Sequence, residues 1–297
     1  MLAYSAKPFD SSLHLFEVKW DGTRCILFLQ GDRIRLQNRR LEEITFRYPE
    51  LQELHRAVRA KDVILDGELV ILSRGRPSFR RLQQREQIRD SLKIKLLSRE
   101  LPATYIVFDL LFLDGRRQTE LPLLERKRIL HDVLRESPFL LECGYAMEWG
   151  RAYFQGASNR GLEGVMAKQV DSPYLIGERS WYWLKVKSWS TAICHIIGYM
   201  EGKGSREGRF GSLVVAEEGE GKWIYRGRVG SGLTEEEREA LSARLERLKV
   251  NSPPFSPVPP EAKNAHWVKP RLRCEVRYQE ITERGHFRTS VFKRLLH

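Results

Sequence analysis

The run VILDGELVIL, residues 63–72, constrains this chain more than any other stretch. Its aliphatic residues have the length and composition of a half-buried strand, yet Asp66 and Glu68 sit at its centre. A charge buried in a strand is costly unless it is paired, metal-bound or put to use, so the fold must bring partners to these carboxylates. The same conflict recurs where Glu163-Gly164 runs into Val-Met-Ala-Lys, and where Lys185 and Lys187 alternate in WLKVK. A fourth element, EVKWDGTR at 17–24, puts Lys19 at the end of a strand entering an Asp-Gly turn, with Arg24 beyond it. Strand-end ion pairs among these lysines and acids would satisfy the physics of any one element, and so would a catalytic site.

One chemistry accounts for the four elements together. A lysine in a desolvated or cationic setting attacks the α-phosphate of a nucleotide, further lysines neutralise its oxygens, and carboxylates hold a divalent metal. Pyrophosphate is then the leaving group.

The surrounding pattern splits in two. Residues 14–37 read as the strands HLFEVKW and CILFLQ, a turn at Gly31-Asp32-Arg33, and the strand IRLQ. PELQELHRAVRA (49–60) has a helical spacing of leucine and alanine, and helices are also expected near 88–99, 123–136 and 151–160. Strands at 63–72, 104–113, 164–168 and 183–188 complete an α+β half. After WLKVKSWS come ICHIIGYMEG, FGSLVVAEE, KWIYRGRVG and RCEVRYQEIT, short strands separated by glycine turns, with one helix at 234–248. Those strands suit a small β-barrel of the oligonucleotide-binding (OB) type, giving domains at 1–189 and 190–297. The proline-rich NSPPFSPVPP (251–260) is a connection inside the second domain.

With a formal charge of +12, the 297-residue chain is expected to meet a polyanion, because cationic surfaces gain affinity for phosphates by counterion release. Two arginine-rich or lysine-rich clusters stand out, SRGRPSFRRLQQREQIR (73–89) and residues 263–297. The four cysteines are far apart with no C-x-x-C pair, which argues against a zinc site or a disulfide framework and for thiols in a reducing compartment. No apolar run reaches the ~20 residues of a membrane span, and the N-terminus lacks a signal-peptide pattern, so a cytoplasmic protein is expected.

The ordered motifs EVKWDGTR, LQNRR, ILDGELV, YIVFDLLF, LEGVMAK and WLKVK resemble those of the covalent nucleotidyltransferases, and within them the ATP-dependent DNA ligases. GYMEGKGSREGRFGSLVVA, GRVGSGL and HWVKPRLRCEV look like the second domain of the bacterial ligases of non-homologous end joining. The resemblance implies an α+β nucleotidyltransferase (adenylation) domain followed by an OB-fold domain. It makes Lys19 the adenylated nucleophile, with Arg24 contacting nucleotide and nick, and Lys185 and Lys187 contacting the α-phosphate. Arg39, with Arg40 as a close competitor, would bind the DNA 5′-phosphate; Glu17 and Phe108 would meet the adenine edge and face. Glu68 would bind ribose hydroxyls or metal, Glu163 would be a metal ligand, and Asp66 would assist with metal or with positioning Lys19. The implied cofactors are ATP and Mg2+ or Mn2+. The implied partners are nicked or broken duplex DNA and an end-binding protein of Ku type, with the chain acting as a monomer.

The terminal FRTSVFKRLLH departs from the arginine-rich closing motif of that family, keeping Arg288 and Phe292 but placing Ser290 at its proline and Lys293-Arg294 near its end. Slow self-adenylation is one expectation; substitution by Lys293 and Arg294 is the other. Two competing readings share many of the residues: an RNA ligase or capping guanylyltransferase, and a nucleic-acid-binding relative that has lost adenylation.

Overall fold

The computed structural model describes residues 1–73, 75–202, 204, 207, 209–282 and 284–296. The chain divides into two compact units, Met1–Ser188 and Trp189–His297. Part of the GYMEGKGSREGRFGSLVVA motif, at Lys203, Ser205, Arg206 and Gly208, lies outside the described residues.

Two large sheets build the first unit, beside a two-stranded one of Leu72–Ser73 and Arg76–Pro77. One runs in the order Leu2–Ser5, Arg179–Lys187, Gly164–Gln169, Ser11–Val18, Tyr145–Glu148, with only its first pair parallel. The other runs Leu140–Glu142, Thr104–Leu113, Asp62–Val70, Thr23–Gln30, Arg33–Asn38. Alternation decides which side chains face its core: Cys25, Leu27 and Leu29 are buried while Ile26 and Phe28 between them are half-buried. Leu51, Leu54, Leu82 and Leu130 join that core from the helical segments.

The segment with helical spacing at 49–60 is helical over Pro49–Ala57, in the 3-10 form. Its buried residues Leu51, Leu54 and Ala57 recur every third position, the period at which side chains line up in a 3-10 helix.

Two ion pairs tie these elements together, Arg126–Asp109 fully buried and Arg85–Glu50 nearly so. Arg126, on the helix Leu123–Val133, grips Asp109 in the middle of Thr104–Leu113 with Nε–Oδ1 2.7 Å and Nη2–Oδ2 2.9 Å. Arg85, on the helix Phe79–Glu86, meets Glu50 at 2.8 Å and also donates to the carbonyl of Leu101 at 2.7 Å. Each satisfies several donors at once, the condition under which a buried charge is tolerated.

In the second unit the sheet path is Lys222–Val229, Phe210–Gly219, Ser190–Glu201, His266–Tyr278, Lys249–Val250, with Val291–Leu296 also pairing His266–Tyr278. That path does not close on itself among the described residues. The helix Glu235–Arg247 starts on a capping box: the Thr234 hydroxyl accepts from the Glu237 N–H, and the Glu237 carboxylate from the Thr234 N–H. Leu241 and Leu245 carry it into a core with Leu213, Val229 and Phe292. Among the described residues no helix is long and apolar enough to cross a membrane.

Candidate active site

Backbone constraints bring the four charged motifs of the first unit together. Lys19 follows the strand Ser11–Val18 directly, and its N–H donates to the Gly164 carbonyl at 2.9 Å. Gly22 then turns the chain so tightly that an added Cβ would lie 2.2 Å from the Leu69 carbonyl oxygen. Arg24 emerges on the next strand opposite Glu68. At Gly164 φ is +147° and a Cβ would lie 2.1 Å from the Val186 oxygen, so glycine is required where Gly164 pairs with Lys187. These contacts set Glu163 between two lysines: Lys19 Nζ lies 2.5 Å from Oε2 and Lys187 Nζ 3.0 Å from Oε1.

Above this trio lies a cavity of about 340 Å³. Lys19, Arg24, Arg39, Arg179, Lys185 and Lys187 give it a cationic lining, and Trp20, Phe108, Met166 and Trp183 an apolar one. Phe108 and Trp183 meet edge to face, 6.0 Å between centroids and 78° between planes. One set of walls suits phosphate and the other a flat heterocycle.

Asp66 is not among the residues that line this cavity. Both its oxygens are taken by Arg24, at 3.0 and 2.6 Å, and the Tyr174 hydroxyl donates to it at 2.7 Å. Its visible task is to hold the Arg24 guanidinium, which also stands 5.7 Å from the Phe108 and Trp183 centroids. Glu17 is equally engaged: Lys168 reaches one oxygen at 2.6 Å and Lys127 pairs with the other. Lys168 in turn sits 4.3 Å from the Phe108 centroid and 4.1 Å from that of Trp183. Arg39 is exposed beside the cavity, on a turn closed by the Asn38 carboxamide oxygen, which accepts from the Arg40 and Glu42 N–H groups at 2.9 and 3.0 Å. In the second unit Arg288 pairs with Glu280 and Arg294 with Glu275, each at 2.7 Å, while Lys293 is exposed.

Arg179, Lys127 and Tyr174 are absent from the motifs read in the sequence, and Lys168 and Trp183, though they stand in LEGVMAK and WLKVK, carry no role there. For Arg179 and Trp183 a signal existed: they share the odd-numbered face of Arg179–Lys187 with Lys185 and Lys187. Lys127 and Tyr174 lie in a helix and a loop with no local mark.

Burial acts to raise the Glu163 carboxyl, but the Lys19 and Lys187 ammonium groups overcome it and hold it below the usual carboxylate range. At Lys185, partial burial and the nearby Arg179, Lys187, Lys19 and Arg39 charges lower the ammonium pKa. Glu68 moves the other way, pushed up to about 8 by burial despite Lys19 and Arg24. Between its unfolded value near 4.5 and about 8 the folded protein retains a proton that the unfolded chain releases, so stability falls as pH rises through that window. The slope is at most one proton, about 1.4 kcal/mol per pH unit. In Glu68→Gln this descent is expected to flatten, as measured by denaturant titration between pH 5 and pH 8; an unchanged profile would clear Glu68 of responsibility.

Among the described residues no group of three or more His, Cys, Asp and Glu side chains could hold a metal ion.

Comparison with known proteins agrees with this arrangement. Residues 1–187 match the family described as "ATP dependent DNA ligase domain", and residues 206–297 match "ATP dependent DNA ligase C terminal region". The multifunctional non-homologous end joining DNA repair protein LigD of Mycobacterium tuberculosis is 36% identical over 283 residues, 94% of this chain and 36% of that protein. DNA ligase 1 of Korarchaeum cryptofilum is 31% identical over 291 residues, covering 95% of this chain and 52% of its own length. The chain therefore spans about a third to a half of these curated relatives. The crystal structure of the ligase domain of M. tuberculosis LigD aligns with the whole chain and 94% of that domain, with TM-score 0.57 and 33% identity. A structure described as mycobacterial DNA ligase D complexed with ATP and MES aligns with TM-score 0.57 and 32% identity. The fold is an adenylation domain followed by an OB-fold domain, and the chain belongs to the ATP-dependent DNA ligases.

Proposed function

We propose that this protein seals breaks between a DNA 3′-hydroxyl and a 5′-phosphate, using ATP through a lysine-AMP intermediate, in DNA repair by end joining. The observation that carries the reading is Lys19, held by Glu163 beside a cavity lined by cations and aromatic rings. In the first step Lys19 Nζ, having given up a proton, attacks the α-phosphorus; the bond to the bridging oxygen breaks and pyrophosphate leaves with that electron pair. The Glu163 carboxylate, 2.5 Å away, holds Nζ as an ion-pair partner, and because its own pKa is held low the proton passes to solvent. Lys185, Lys187 and Arg179 neutralise phosphate oxygens, and Phe108 with Trp183 stacks against the base. AMP then passes to the 5′-phosphate, held by Arg39, and the 3′-hydroxyl displaces AMP as the phosphodiester forms.

Glu68 and Glu163 are the carboxylates that would hold Mg2+ or Mn2+. So sparse a donor set suits a cation that takes its remaining ligands from substrate phosphates and water. When bound, the ion neutralises charge developing on phosphate. Domains at 1–189 and 190–297, a cytoplasmic monomer and an end-binding partner of Ku type belong to the same reading. The M. tuberculosis relative's own name, with its end joining and DNA repair, supports the choice of pathway.

The test is single-turnover transfer: protein labelled with α-labelled ATP and Mg2+ or Mn2+, freed of nucleotide, is mixed with nicked duplex. Sealing only with a 5′-phosphorylated nick, and labelling by ATP but not GTP, are expected. Protein proven free of pre-bound AMP that takes no label would refute the reading.

A further inference from the structure

Beside the nucleotide cavity, the first unit carries a second cleft of about 430 Å³, and Arg39 lines both. Arg40, Arg47 and Arg89 bring three more guanidinium groups to it, joined by the carboxamides of Gln83 and Gln87. Its two carboxylates are already engaged: Glu86 accepts from the Thr23 hydroxyl at 2.6 Å and Glu42 from the Asn38 amide at 2.9 Å. Arg47 Nε is buried and meets no hydrogen-bond acceptor among the described residues. The arginine-rich stretch 73–89 thus divides its labour, Arg85 being spent on Glu50 inside the unit while Arg89 lines the cleft.

We propose that this cleft seats the backbone of the DNA strand bearing the 5′-phosphate, over the first phosphodiesters downstream of the nick; the proposal rests on the ligase reading above. Continuity through Arg39 requires an occupant covalently joined to whatever that arginine holds beside the nucleotide. Several guanidinium groups and neutral amide donors in one groove match a chain of phosphates and sugar oxygens. Among the described residues no aromatic side chain lines the cleft, so it holds the strand without stacking on bases and independently of sequence.

Each arginine removed should lower the slope of log K against log salt by about 1. The experiment measures equilibrium binding of lysine-adenylated protein to a nicked 5′-phosphorylated duplex at several salt concentrations, for wild type, Arg89→Glu and Arg47→Ala/Arg89→Ala. Duplexes with neutral methylphosphonates at the first three linkages of the 5′-phosphate strand are compared with duplexes carrying them in the 3′-hydroxyl strand. Wild type should lose affinity only when the 5′-phosphate strand is neutralised, and the variants should lose both that sensitivity and salt slope while still forming lysine-AMP. Unchanged affinity and slope in Arg89→Glu would overturn the proposal, as would equal sensitivity to both strands. Arg89→Glu, a single change at an exposed residue, keeps the test decisive if the double variant is poorly folded. A wild type that takes AMP but shows no preference for nicked duplex defeats the ligase reading first, and the cleft assignment with it.

Discussion

Lys19→Ala is expected to reduce covalent AMP capture to below about one-thousandth of wild type, because the variant has no atom to form the phosphoramidate bond. The fold should tolerate the loss. Glu163 keeps Lys187 at 3.0 Å, and Lys19 is a partly exposed side chain whose ion pair contributes little to stability. A melting temperature within a few degrees of wild type is therefore predicted alongside the inactivity. Lys19→Arg separates the two roles the side chain plays: a guanidinium keeps a positive charge beside Glu163 but stays protonated at any working pH. It should be as inactive as the alanine variant in a denaturing-gel assay with α-labelled ATP. Substantial labelling of either variant would move the nucleophile to another residue, with Lys185 the first to be tested.

Arg126→Met carries the largest expected cost in stability. Asp109 would be left charged and unpaired in the centre of the Thr104–Leu113 strand, and the Leu121 and Ser172 carbonyls would lose their donor. Breaking a buried pair from one side typically costs about 3–5 kcal/mol. For a domain of this size that lowers the melting temperature by roughly 6–20 °C. The companion variant Arg126→Met/Asp109→Leu removes both charges and is expected to recover most of the loss, since apolar replacements of a whole buried pair are often neutral. A double variant no more stable than Arg126→Met alone would mean that the carbonyl contacts, not the charge, dominate. Asp109 follows Phe108 in the cavity wall, so AMP capture should fall with stability in the single variant and return in the double.

How far the sequence speaks depends on the range of the interaction. Thr104–Leu113 coincides with the apolar run TYIVFDLLFL, and Glu235–Arg247 follows the Thr234-x-x-Glu237 signature, because alternation and capping are local. Leu2–Ser5, Leu140–Glu142 and Tyr145–Glu148 escaped notice: strands of three or four residues exist only through the sheet they join. Likewise, the charged motifs announced that partners were needed, but not which. Lys19 and Glu163 are 144 positions apart, and nothing near Glu17 points to Lys127 or Lys168. The arginines at 73–89 look alike in sequence, yet burial reserves Arg85 for the core.

Glu17 and Lys19 are two steps apart along one extended segment, a separation of about 6.8 Å set by the rise of a β-strand. That segment is clamped: Glu17 is fixed by two buried lysines, and the Lys19 backbone is bonded to Gly164. It therefore behaves as a gauge with two jaws of fixed opening. A ligand that seats its base at the Glu17 end delivers its reacting phosphorus to the other only if its own length agrees. Under the proposed function, selection of the nucleotide begins as a measurement of distance, made by a rigid backbone before any bond changes.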